Sequence, residues 1–92
     1  MAINYYETDA IIPPGESLAE ELEVRGISPK VFAKDIGLST KTFSGLLMGE
    51  KPLTAEIALE IERTLGISAI TWLNLEAMYR LALAKRKRAQ SA

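Results

Sequence analysis

"FAKDIGLSTKTFSGLLMGEK" (residues 32–51) holds two short helical patterns that meet at Gly37. Apolar residues recur at helical spacing on both sides of that glycine: Phe32, Ala33 and Ile36 before it, Phe43, Leu46 and Leu47 after it. Gly37 falls just past the first helix end, where a left-handed backbone needs no Cβ penalty to be overcome. Ala33 is small where the two helices would cross, and Leu38 and Phe43 would face back into the core. The second helix opens with Ser39-Thr40-Lys41-Thr42, a start that filling a core does not require. Thr40, Lys41, Ser44, Gly45 and Met48 are left for its outside. Two short helices joined by a tight glycine turn make a helix-turn-helix unit, here spanning about residues 29–48.

Three further helical patterns surround this unit, and no strand pattern is convincing. Pro13-Pro14 pre-sets the entry to a helix over residues 15–25 with Leu18, Ala19 and Leu22 as its stripe and Gly26 as its stop. Ser28 caps the first helix of the unit with Pro29 in its first position, and Ser39 caps the second. After the break at Lys51-Pro52-Leu53, Thr54 caps a helix over 55–65 that ends at Gly66. Ser68 caps a fifth that runs toward Lys85-Arg86-Lys87-Arg88. Short connections between short helices predict an all-α, five-helix bundle of angled helices over residues 11–84. Residues 1–10, without periodicity, read as a flexible leader, in which Tyr5 and Tyr6 could form an interaction segment; residues 85–92 read as a basic tail.

The chain has 92 residues, enough for one domain. It contains no cysteine and no histidine, which excludes disulfides, thiolate or imidazole metal sites, and Ser-His or Cys-His nucleophile pairs. No cofactor or metal is implied, and an enzyme is the weakest class, since it would have to work with carboxylates, lysine or tyrosine alone. No apolar run is long enough to span a membrane and no secretory signal is evident, which fits a cytoplasmic protein. The net charge of −1 is unevenly spread: residues 1–27 hold six acids and one base, whereas 28–53 hold four bases and two acids. The helix-turn-helix is therefore a basic patch in an acidic chain, which argues against indiscriminate nucleic-acid binding and leaves room for a local basic face.

The first residues of the second helix in such a unit reach base edges in the major groove, and hydroxyl and lysine side chains are suitable readers there. Lys30 and Lys34 on the preceding helix and Lys51 after the second sit where phosphate contacts are expected. Taken by periodicity alone, the same pattern is also compatible with a helical hairpin whose polar face is merely solvated.

The stretch from Ile27 to Ser68 resembles the Cro and phage-repressor (XRE) helix-turn-helix family. "IIPPGESLAEELEVRGIS" (11–28) and "TWLNLEAMYRLALA" (71–84) narrow the resemblance to the HigA antitoxins. It implies a dimeric protein that binds a palindromic double-stranded DNA operator, represses its own operon and neutralises a RelE/HigB-like messenger-RNA endonuclease toxin. By position it places Thr40, Lys41 and Ser44 on base-reading sites, and Ser39, Thr42, Lys30 and Lys51 on phosphate-contacting sites. Gly45 and Met48 depart from the family pattern, which commonly has a long polar reader and an asparagine there. The alternatives are a stand-alone regulator of the same fold with no toxin partner, and an interaction module that has lost DNA binding.

The fifth helix is apolar around too much of its circumference. Ile70, Leu73, Ala77, Leu81 and Ala84 form one face, assigned to the core; Trp72, Leu75, Tyr79 and Leu83 form another, assigned to a homodimer interface. The four basic residues that follow would complement the helix dipole.

Overall fold

The computed structural model describes residues 11–91; the leader over 1–10, with Tyr5 and Tyr6, lies outside the described residues. Five helices follow one another, α1 (Pro14–Arg25), α2 (Pro29–Asp35), α3 (Thr40–Leu47), α4 (Ala55–Leu65) and α5 (Ala69–Ser91), with no strand among the described residues. The run Lys85-Arg86-Lys87-Arg88 lies within α5, so the helix continues through the segment read as a tail.

The helix ends follow from local chemistry. Ser28, Ser39 and Thr54 each accept a hydrogen bond from the backbone N–H three residues on, at 3.4, 3.1 and 3.3 Å, satisfying a donor that the helix itself leaves orphaned. At the turn of the helix-turn-helix, Gly37 takes φ 77°. Its N–H donates to the Lys34 carbonyl at 3.1 Å and the Leu38 N–H donates to Ala33 at 2.8 Å, the paired bonds of a Schellman stop. That stop aims the chain back into α3 after only a few residues.

The core gathers Leu18 and Leu22 from α1, Phe32 and Ala33 from α2, Phe43 and Leu46 from α3, Ala58, Ile61 and Leu65 from α4, and Trp72 from α5, with Ile36 and Leu53 between helices. Burying each larger side chain contributes roughly 1.5–3 kcal/mol. α1 packs on α3 and α5, α2 on α3, and α4 on α5. The α1–α3 contact is close: a Cβ at Gly15 would overlap backbone atoms of Leu46 and Leu47. Between α2 and α4, the Arg63 guanidinium donates to the Asp35 carbonyl at 2.9 Å. The hydrogen bonds that Arg63 donates to the Glu60 carboxylate, together with the charge of that carboxylate, raise the pKa of Arg63 above its ordinary value.

The two faces of α5 are the reverse of the sequence assignment. Trp72 is 2% exposed and belongs to the chain's own core, Leu75 packs against that core, and Tyr79 reaches Gly49 at the end of α3. Leu83 continues this half-buried side. The outward stripe is instead Ile70, 62% exposed, Leu81, 56% exposed, and the exposed Ala77 and Ala84, with Met78 beside them. Leu73 alone of its predicted face packs partly against the core. Both faces are apolar, so periodicity could not rank them; the indole of Trp72 is among the largest side chains buried in the core, on a helix that packs against α1 and α4.

Candidate nucleic-acid interface

Three elements build the exposed side of the helix-turn-helix. Ser39 anchors the start of α3, its hydroxyl accepting from the Thr42 N–H and donating to the Thr42 hydroxyl at 2.9 Å. Thr40 and Lys41 then occupy the first two helical positions, both exposed. Lys41, Ser44, Gly45 and Met48 fall at spacings of three and four, on one face of α3. Ser44 and Met48 are exposed and loosely joined, the hydroxyl 3.9 Å from the thioether sulfur. Phe43 and Leu46 hold the opposite face in the core, which fixes the rotation of the helix.

Gly45 is not open to the outside as its position in the sequence suggested. It is buried beneath the Lys51 side chain, whose Cγ lies 2.7 Å from where a Cβ on Gly45 would stand. With no side chain of its own, Gly45 leaves a notch, and the aliphatic stem of Lys51 occupies it.

The electrostatics are set by which cations are already paired. Arg25 pairs with Glu21, Arg63 with Asp35 and Glu60, and Arg80 with Glu76. Lys30, Lys34, Lys41 and Lys51 make none of these pairs, and all four are exposed. Lys30 and Lys34 lie one turn apart on α2, beside α3. The N-terminal turn of α3 adds the partial positive charge of its free N–H groups. Such an arrangement can hold a polyanion along its flanks and offer hydroxyl and ammonium groups to whatever lies between.

The far end of α3 is tied to α5. Arg80 donates to the Gly49 carbonyl at 3.2 Å, is itself held by Glu76 at 2.7 Å, and lies 4.9 Å over the Tyr79 ring. Sequence reasoning missed this bracket and the covered notch, because both join residues far from local register. Among the described residues there is no cluster of three or more potential metal-ligating side chains, and no helix is long and apolar enough to cross a membrane.

A five-helix domain with this turn and this outward face has the architecture of a helix-turn-helix protein. No family model matches the chain. An Escherichia coli protein described as an uncharacterised HTH-type transcriptional regulator, YddM, is 34% identical over 73 residues, covering 79% of this chain and 78% of its own. An addiction-module antidote of the HigA family from Coxiella burnetii superposes with a TM-score of 0.78 at 33% identity, covering 88% of this chain and 89% of the antidote. The Pseudomonas aeruginosa antitoxin HigA, solved with the higBA promoter, superposes with a TM-score of 0.80 at 30% identity, covering 89% and 90%. The chain belongs to the HigA family of helix-turn-helix antitoxins.

Proposed function

We propose that this protein is a sequence-specific DNA-binding antitoxin that represses its own operon as a homodimer. α3 enters the major groove, where Thr40, Lys41 and Ser44 read base edges. Lys30 and Lys34, with the capping hydroxyls of Ser39 and Thr42, hold the phosphates on either side. The observation that carries this reading is the division of cations: Lys30, Lys34, Lys41 and Lys51 stay outside the ion pairs that Arg25, Arg63 and Arg80 make among the described residues. The promoter-bound state of the Pseudomonas HigA supports the same use of the domain here. A second copy would pair through the exposed stripe of Ile70, Ala77 and Leu81 on α5. Two-fold pairing matches a palindromic operator read by two such helices about one helical turn apart. Membership of an antitoxin family supports neutralisation of a RelE/HigB-like toxin as the second part of this reading.

The test has two arms. Binding of the protein to DNA from upstream of its own coding sequence, with a scrambled duplex as control, is expected to favour the upstream DNA by at least a thousandfold at physiological salt, roughly the lower bound for specific recognition. No preference even at low salt would overturn the DNA reading. Co-expression with the adjacent reading frame is expected to recover a stable complex with a small basic ribonuclease; a regulator that neither binds nor neutralises such a neighbour has no toxin partner.

A further inference from the structure

We propose that Lys51 is a base-reading residue, its ammonium carried onto the groove face of α3 by the notch at Gly45 to address a guanine in the major groove. The inference rests on the DNA-reading function above and changes the role of Lys51 from the phosphate clamp that its place after the helix suggests. Gly45 occupies the middle of the groove face, four residues after Lys41 and three before Met48. Its backbone has no positive φ, unlike Gly26, Gly37, Gly49 and Gly66, so no turn requires a glycine there. A helix-interior glycine is otherwise unfavourable relative to alanine. What the glycine supplies is room.

Lys51 takes that room. Its Cβ, Cγ and Cε lie 3.8, 2.7 and 3.7 Å from the position a Gly45 Cβ would have, so the stem lies over Gly45 rather than extending away from it. The backbone reinforces the placement, because the Glu50 and Lys51 N–H groups both donate to the Gly45 carbonyl, at 2.9 and 3.1 Å. A phosphate clamp needs no such guidance, since a flexible ammonium can reach a diffuse anionic surface from many rotamers. A base reader does, because discrimination depends on the ammonium arriving at one place with little rotamer freedom left to lose. Lysine only donates, and guanine O6 and N7 present the matching pair of acceptors in the major groove. Lys51 thus replaces, from outside the helix, the side chain that Gly45 lacks.

The experiment is selection of binding sites from a random duplex library by the full chain, by Lys51→Ala and by Gly45→Ala. Titration of the selected duplex and a scrambled one follows over a range of salt. The parent is expected to select a guanine in each half-site that Lys51→Ala no longer selects, and the ratio of selected to scrambled affinity is expected to fall about tenfold or more in that variant. Gly45→Ala fills the notch, displaces the lysine stem without disturbing the helix, and is expected to lose the same guanine with its thermal transition unchanged or raised. If Lys51→Ala keeps every selected position, weakens both duplexes alike and lowers the salt slope by about 0.9 per subunit, Lys51 is a phosphate clamp and the inference is overturned. Retention of that guanine by Gly45→Ala would overturn the guiding role of the notch. A parent that selects no sequence would overturn the DNA reading and this inference together.

Discussion

The rings of Phe32 and Phe43 meet across the α2–α3 crossing with their centroids 5.7 Å apart and their planes tilted by 52°. Tilted pairs at this spacing place a ring edge toward a ring face and add about 0.5–1.5 kcal/mol to area burial. The contact fixes where α3 points, because Phe43 lies on the helix face opposite Lys41 and Ser44. Phe43→Ala is therefore expected to cost roughly 3–5 kcal/mol, a large part of the stability of a small domain. Chemical denaturation checks it, and an unchanged midpoint would remove Phe43 from the core.

Gly15 allows a different kind of contact. A methyl group there would meet the backbone at Leu46 and Leu47, which cannot swing aside as a side chain can. Gly15→Ala is expected to destabilise by about 1–3 kcal/mol, the range for overpacking, despite alanine's better helix propensity. The neighbouring, half-exposed Ser17→Ala should shift the thermal midpoint far less.

On α5, Leu81→Glu should shift a dimer to monomer while leaving the helical content intact. A charge there removes apolar burial worth roughly 1.5–3 kcal/mol, twice over by symmetry. Leu75→Glu should instead lower the unfolding temperature, since Leu75 packs against the core. Light scattering paired with circular dichroism separates the two outcomes, and a monomeric parent at tens of micromolar would dismiss the α5 interface.

Lys41 and Lys30 are expected to fail in different ways. Lys41→Ala should compress the ratio between operator and random duplex, by an amount corresponding to roughly 1–3 kcal/mol per lost base contact. Lys30→Ala should weaken both and flatten the salt dependence by about 0.9 unit of slope, or about 1.8 in a dimer. A salt titration of each variant reads both effects; identical behaviour would erase the distinction between reader and clamp.

Much of the fold was legible because its signals are local. Ser28, Ser39 and Thr54 accept the capping bonds their positions implied, and Gly37 makes the turn between α2 and α3. Ala33 and Phe43 are buried as the periodicity required. The phase of α5 was not legible, because a helix apolar on two sides gives no local reason to bury one of them. Trp72 decides it through its volume, which only the assembled core reveals. The exposure of Thr40, Lys41 and Ser44 could likewise be read from spacing, whereas the Lys51 stem over Gly45 could not. That contact depends on how the chain folds back after Gly49, a path that neither propensity nor charge pattern encodes.

The bracket from Arg80 to the Gly49 carbonyl makes α5 a strut for the reading helix. At 23 residues α5 is about 34 Å long, and it carries both this attachment and the outward apolar stripe. Two chains joined along that stripe would hold their α3 helices at a separation set by the protein, with no hinge to adjust it. One base pair inserted between half-sites would advance the second by about 3.4 Å and rotate it by roughly 35° around the duplex axis. Such a strut cannot follow that displacement unless the DNA twists or bends to meet it. Operator spacing would then be read as strictly as operator sequence, by residues that never touch a base.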